Sequence, residues 1–580
     1  MKQCRAHEAW SKRTTQFFRP IAVCIIATAL LSGGAFGQAA TIVDPHQSLG
    51  QWNPDQALEE EQRKFSELVY DVDKLRDEHV LSFPLTTDEH DRMADDPECE
   101  DCDEANVLMP LGVNIETDIP IDFRGVRLDN LDVIGRTESF GLMRLVDDGR
   151  LVWTSAVHSD YAGALRMRFA DVELAESMEM YVYTREQEVY GPYTYRDINE
   201  SGDIWTNIIS GELSFIELRT AGPGTQADLD ATAFRLVDVA HLSDDLLEQA
   251  AQAAFAKKAS YTSPVSSECY DSKTWSIIDY VNKGIGFMAF KKNKKWTYCS
   301  GGLLNTINDD ETPYFLTANH CLNTKAQAES VITIWRFNTA CNGTSYRAHS
   351  WQEIWKLKLP RSVGAKLLKT GTDTDFTFIK LSQKPPAGSW FLGWDARTDY
   401  SAVNDTKTYR LSHPAYKPMS FSSHSVIKPG VVGSGRPVGK YIYSSNVIGL
   451  TQGGSSGSPL MLVTGHVIGQ LYGGVCNLSG WDTKKKECKA GWENNSSTES
   501  AIDGSFFHTF PHISSYLSPS TSTTPPNRVG CTSSTIAPPS GNDFTDGSGG
   551  FAMMIGVMLT GYLALRFGGR ITPAGVAKTV

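Results

Sequence analysis

The stretch Gly453-Gly454-Ser455-Ser456-Gly457-Ser458-Pro459-Leu460 constrains the fold more than any other in this chain. Three glycines and a proline around two adjacent serines demand a tight turn. Leu460-Met461-Leu462-Val463 then reads as a strand, so the turn leads into β structure. Ser455 also fits G-x-S-x-G, the nucleophile elbow. That motif runs strand, turn, helix and keeps its acid and histidine downstream. Here a strand follows Pro459, and the better-placed histidine lies upstream, in Leu316-Thr317-Ala318-Asn319-His320-Cys321. Between the two lies an aspartate opening an apolar run, Thr374-Asp375-Phe376-Thr377-Phe378-Ile379-Lys380-Leu381.

At 580 residues the chain exceeds one ordinary core, so two or three domains are expected. A formal charge of -13 argues against a nucleic-acid partner, which would want a basic face. The basic run Lys484-Lys485-Lys486 reads as a solvated loop. Of 11 cysteines, six run from Cys269 to Cys488, a clustering that suits disulfides and an oxidising compartment.

The ends agree with export. Lys2, Arg5, Lys12, Arg13 and Arg19 precede the apolar run from Ile21 to Leu31 and the small-residue exit Ala35-Phe36-Gly37. That pattern predicts a signal peptide over 1–37, which would carry Cys4 and Cys24 away. Residues 38–112 form a helical and acidic segment. Leu58, Phe65, Leu68, Val69 and Val72 predict a helix within Asp55 to Val80. Cys99-Glu100-Asp101-Cys102 lies among carboxylates that oppose a reactive thiolate, so a local disulfide or plain thiols are expected.

Residues 113–258 read as a β-sandwich-like unit. Ala164 to Phe169 and Met178 to Tyr183 alternate with period two, and Asp147-Asp148-Gly149 and Gly191-Pro192 mark turns. A helix is expected from Asp244 to Lys258, and Lys257-Lys258 is a candidate processing site. Residues 265–518 form a second β-rich unit. Residues 519–550 are a Ser/Thr/Pro/Gly-rich linker, too poor in large apolar groups to order itself, with Cys531 lacking an evident partner. An apolar segment over 551–567, stopped by Arg566 and Arg570, is a marginal membrane span, and 568–580 is a tail.

A serine hydroxyl needs a base within hydrogen-bond reach and an acceptor to orient that base. His320 supplies the base, Asp375 the acceptor with Asp373 as alternative, and Ser456 the nucleophile. The flanking glycines let the N–H groups of Gly454 and Ser456 converge on a developing oxyanion. No ligand cluster calls for a metal or cofactor. His413 and His466 read as structural or exposed, and Trp394 as core.

The order His320, Asp375, Ser456 resembles that of chymotrypsin-like serine proteases. Thr317-Ala318-Asn319-His320-Cys321 is similar to T-A-A-H-C, and Gly454 to Pro459 to G-D-S-G-G-P. The nearest resemblance is to the bacterial lysyl endopeptidase branch, through Cys299-Ser300-Gly301-Gly302-Leu303, Gly393-Trp394-Asp395 and Gly469-Gln470-Leu471-Tyr472-Gly473-Gly474. It spans Cys269 to about Leu517. It implies a mainly β chain whose protease domain is a double six-stranded β-barrel with the site in the cleft, preceded by the sandwich. Implied disulfides are Cys299–Cys321, Cys269–Cys341 and Cys476–Cys488, the last a departure from the branch. The implied activity is secreted endopeptidase action through an acyl-enzyme, with protein or peptide substrates. A catalytically silent surface protein on the same fold is the alternative.

For substrate binding the resemblance implies Leu450, six residues before Ser456, and the strand Leu471, Tyr472, Gly473, Gly474, which would pair with substrate backbone. A selectivity acid would fall at Ala501 if the register is set by Gly504, with Asp503 and Glu499 one small shift away. The amino-terminal unit, through Val189-Tyr190-Gly191-Pro192-Tyr193 and Asp203-Ile204-Trp205-Thr206, resembles the pro-regions of this branch. It is expected to contact the protease domain, assisting its folding or blocking its cleft. A retained binding module is the rival. Gly549-Gly550, the apolar helix and the arginines resemble GlyGly sorting tails cut by a membrane protease, which implies a secreted or cell-surface protein.

Overall fold

The computed structural model describes residues 40–89, 108–131, 135–246, 265–269, 277–340, 347, 349–427, 440–449, 451–476, 481–482, 487–488 and 499–519, with the backbone alone for 475–476, 481–482, 487–488 and 499–500. The chain divides into compact units at Thr521/Ser522, and all the described residues belong to the first. The signal-peptide, C-x-x-C, processing-site, linker and sorting-tail expectations lie outside the described residues. Among those residues no helix is long and apolar enough to cross a membrane.

The expected architecture is present. The amino-terminal module is a sandwich of two mainly antiparallel sheets, with Val80–Ser82 added parallel to Leu151–His158. One sheet places Leu213–Thr220 between Leu151–His158 and Met178–Tyr183. The other places Ala233–Leu242 between Ala164–Glu173 and Met109–Asp122. Alternation along these strands sends one set of side chains inward. Trp153, Phe123, Phe169 and Phe234 meet edge to face in the core between the sheets.

The helix predicted within 55–80 is shorter, Pro54–Glu67, with Asn53 accepting the Asp55 N–H at its start. It stops because the buried Glu217 carboxylate accepts the N–H groups of Val69 and Tyr70. Those donors are satisfied outside a helix, and Leu68 and Val72 pack against Tyr181 and Tyr183 instead. Of the helix predicted from Asp244 to Lys258, only the first three residues are described, and they are helical.

The carboxy-terminal domain holds two barrels. In the first, Lys295–Leu304 pairs with Ile285–Lys292 and Tyr314–Ala318, and Tyr314–Ala318 with Phe376–Leu381. Ile285–Lys292 pairs with Ile332–Trp335, which pairs in turn with Arg361–Val363. At Gly364, with φ of 77°, the chain bends and continues as Ala365–Gly371 beside Phe376–Leu381, bringing the sheet round on itself. The second barrel closes through Lys407–Ser412, Ser420–Ile427, Tyr441–Ile448, Glu499–Ser505, Val467–Cys476 and Pro459–Leu462. Trp394 is core, as expected, donating Nε1–H to Asn305 O at 2.9 Å.

Strand pairings that no local periodicity announces tie the amino-terminal residues to this domain. Ile42–Val43 pairs with Trp394–Asp395, and His46–Gln47 with Trp390–Phe391, so residues 40–50 form a strap on the carboxy-terminal domain. Met109–Asp122 pairs with Lys295–Leu304 in the register Val113↔Lys295 to Met109↔Tyr298, making one continuous sheet of sandwich and first barrel. Arg166, fully buried, anchors the junction. Its guanidinium lies 5.0 Å from the rings of Trp205 and of Trp296 and donates to Thr206 O and Ser330 O.

Candidate active site

Barrel pairing creates the site. Ala318 lies opposite Phe376, so the residues just beyond those strand ends, His320 and Asp375, are neighbours. His320 Nδ1 lies 2.6 Å from Asp375 Oδ2, and the His320 N–H donates to Asp375 Oδ1 at 2.9 Å. Both carboxylate oxygens therefore hold one residue, and the Asn319 N–H donates to the Asp375 carbonyl at 3.0 Å. Asp375 is left-handed, with φ of 53°, a strained conformation for a non-glycine residue. These three bonds fix it there. Asp373, the alternative, is exposed and bonds Lys440 at 2.8 Å, a contact that lowers its pKa.

The turn carrying Ser456, from the second barrel, packs against the first-barrel strands next to His320. The Ser456 carbonyl accepts the Ser300 N–H at 2.9 Å, and a Cβ at Gly457 would sit 2.8 Å from Ala318 N, two residues before His320. Among the described residues no hydrogen bond joins Ser456 Oγ to His320 Nε2. Ser455 faces elsewhere, its Oγ accepting from Ser412 Oγ–H and from the Gln452 N–H.

The turn before Ser456 is held through its carbonyls. The Ala415 N–H donates to Gly453 O at 2.8 Å, and Ser300 Oγ donates to Gly454 O at 2.8 Å. A trans peptide points its N–H opposite to its carbonyl, so fixing Gly453 O fixes the direction of the Gly454 N–H. Neither the Gly454 nor the Ser456 N–H has an acceptor among the described residues. Gly454, with φ of 91°, has no room for a side chain, since a Cβ would lie 2.3 Å from the Tyr298 ring.

The strand Val467–Cys476 borders the site. Gly457 N–H donates to Leu471 O and Leu471 N–H to Ser458 O, and the Tyr472 ring meets His320 edge to face at 5.8 Å. Gly473 and Gly474 pair with Ile502 and Ala501 on one edge. Leu450 lies outside the described residues. Cys299–Cys321 is a disulfide, which excludes those sulfurs, although close to His320, as thiolate ligands. Cys269 is also disulfide-bonded, whereas its expected partner Cys341 and the side chains of Cys476 and Cys488 lie outside the described residues.

Three contributors were assigned no role from the sequence, although Ser300 and Gln470 lie inside quoted motifs. Lys292 Nζ donates to the carbonyls of His320 and Cys321, and burial lowers its pKa despite the nearby Asp375. Gln470 donates to Thr374 O at 2.7 Å, and Ser300 joins both barrels. Each is an ordinary polar residue in a strand, legible only once its partner is known.

The histidines set aside in the sequence stay outside the site. His413 is stacked on Phe337, and burial pushes its pKa down to about 4. His466 faces Asp44. Asp503 is fully buried, and both its oxygens lie 2.8 Å from Arg410 Nη2, so this acid is already matched and does not await a basic substrate group. Asp503→Ala would leave the Arg410 charge buried without its acid. The expected loss is about 3–5 kcal/mol of stability, read from urea melts.

Residues 258–488 match the family model described as lysyl endopeptidase, C-terminal domain. Over 284 residues the chain is 27% identical to the lysyl endopeptidase of Pseudomonas aeruginosa, covering 48% of this chain and 58% of that relative's length. Similar solved structures include the active form of the Rv3671c protease from M. tuberculosis, 12% identical with a TM-score of 0.27, over 46% of this chain and 90% of that one. Another is the HtrA-type protease AlgW with tripeptide, 13% identical with a TM-score of 0.27, over 41% of this chain and 62% of that one.

Proposed function

We propose that this chain is an exported serine endopeptidase that cleaves peptide bonds through an acyl-enzyme. The observation that carries the reading is the clamp of Asp375 on His320, both oxygens engaged, with the glycine turn that holds Ser456 packed against the neighbouring residues Thr317 and Ala318. Asp375 holds the Nδ1 proton, leaving Nε2 as the base. Ser456 Oγ bonds to the carbonyl carbon as its proton passes to Nε2. The carbonyl π pair moves to oxygen, where the Gly454 and Ser456 N–H groups receive it. Collapse breaks the C–N bond, and His320 returns the proton to the leaving amine. Water then repeats the sequence on the ester. In this reading the Ser456–His320 hydrogen bond forms when substrate arrives.

Leu471 to Gly474 would pair with the substrate backbone as an added strand, with Tyr472 beside the histidine. The Cys299–Cys321 disulfide, which braces the His320 loop, supports an oxidising destination. In this reading a signal peptide directs export, and a membrane protease trims the carboxy-terminal tail near Gly549-Gly550. The test is labelling of the full chain by a fluorophosphonate, with the adduct mapped by mass spectrometry. The expected adduct lies on Ser456. A folded chain with no adduct, or one on Ser455, sinks the reading.

A further inference from the structure

The turn that presents the Gly454 N–H is braced by a chain of contacts that begins outside the two barrels. Gly453 O accepts from the Ala415 N–H at 2.8 Å and from Tyr298 Oη–H at 3.4 Å. Ala415 and Tyr416 are consecutive non-glycine residues in left-handed backbone, with φ of 46° and 60°. Such backbone persists only where its surroundings over-determine it. Two contacts do so here. The Tyr416 N–H donates to Tyr298 Oη at 2.5 Å, and Tyr416 Oη–H donates to Pro110 O at 2.5 Å. Pro110 belongs to the amino-terminal module, in the strand Met109–Asp122 that pairs with Lys295–Leu304. Tyr298 itself lies opposite Met109, and its ring fills the space over Gly454.

We infer that the amino-terminal module is a working part of the proposed catalytic centre: through Tyr416 and Tyr298, its strand Met109–Asp122 fixes the Gly453–Gly454 peptide so that the Gly454 N–H faces the reacting carbonyl. This rests on the serine endopeptidase reading. The two tyrosines are positioning residues, since neither touches the substrate. If the peptide turns over, the Gly453 carbonyl, an acceptor, takes the place of the Gly454 N–H, and one of two oxyanion donors is lost. The Pro110 carbonyl opposes that by holding the strained turn that supplies the Ala415 N–H. A module acting this way supports turnover, which a merely blocking segment would not.

The test uses the full chain with Tyr416→Phe, Tyr298→Phe and the double variant. Phenylalanine keeps the ring packing and removes only the hydroxyl. Measured are kcat and KM on a peptide ester, affinity for a peptide aldehyde that forms a tetrahedral adduct, and the melting temperature. The expected result is a kcat lower by about ten- to a hundredfold in each single variant, from a displaced donor. Aldehyde affinity should fall in parallel, and KM should stay within about twofold, because the loss is confined to the transition state. The double variant should be no worse than about the weaker single, since both hydroxyls act on one peptide. A merely structural role would lower the melting temperature and leave kcat and aldehyde affinity unchanged, which overturns the inference. If Tyr298→Phe fails to fold, Tyr416→Phe decides alone by the same readings. A wild type that takes no fluorophosphonate overturns the hydrolase reading and this inference together; a labelled wild type with indifferent variants overturns this inference alone.

Discussion

Ser456→Ala is expected to lower kcat on a peptide ester by about 10⁵- to 10⁶-fold and to abolish fluorophosphonate labelling. The size follows from chemistry. Without Oγ no acyl-enzyme forms, and His320 has nothing to deprotonate but water. The residual rate would come from the oxyanion donors and from binding alone. The fold should be indifferent. Ser456 Oγ makes no hydrogen bond to protein among the described residues, and the backbone contact through Ser456 O to Ser300 survives the change. Stability is expected to move by less than about 1 kcal/mol. The check is a melt and a single-turnover assay on the same preparation. Turnover that persists within about tenfold, with the fold intact, would place the nucleophile elsewhere.

Asp375→Asn should lower kcat by about 10⁴-fold with the nucleophile still in place. The carboxylate accepts from His320 twice, through Nδ1 and through the backbone N–H. An amide keeps one acceptor for the backbone N–H and presents an NH₂ group to Nδ1. That reverses the tautomer, so the proton sits on Nε2, facing Ser456, and the base is lost. Asparagine also tolerates the left-handed backbone at this position, so the loop should hold. Loss of charge-assisted bonds is expected to cost about 1.5–3 kcal/mol of stability, visible as a lower urea midpoint with an unchanged slope. The contrasting variant, Asp373→Asn, touches only an exposed ion pair with Lys440 and should leave kcat within about twofold.

What the sequence disclosed and what it withheld divide along a physical line. His320, Asp375 and Ser456 stand out as candidates because each sits in a local pattern: a cysteine beside the histidine, an apolar strand after the aspartate, glycines around the serine. The sandwich was legible because alternation is local too. Contacts between distant segments were not. Glu217, which stops the first helix at Glu67, reads in sequence as one more charged residue in a strand. Asp503 looked available for a basic substrate group until Arg410 was found against it, 93 positions away. Tyr416 and Pro110, 306 residues apart, share no motif, and the strap at 42–47 consists of strands too short to show a period.

That strap has a consequence for assembly. Ala40 N–H donates to Ser518 Oγ, 478 positions further along, and Ile42 lies against Asp395. These early-made residues are therefore among the last to find their partners. At synthesis rates of about 5–20 residues per second, they wait on the order of a minute. Loop-closure entropy favours earlier, shorter-range pairings in the meantime. The nascent sandwich can collapse while its leading end stays unattached. Closure of that end then reports that the chain as far as the helix Phe506–Leu517 has been delivered and packed.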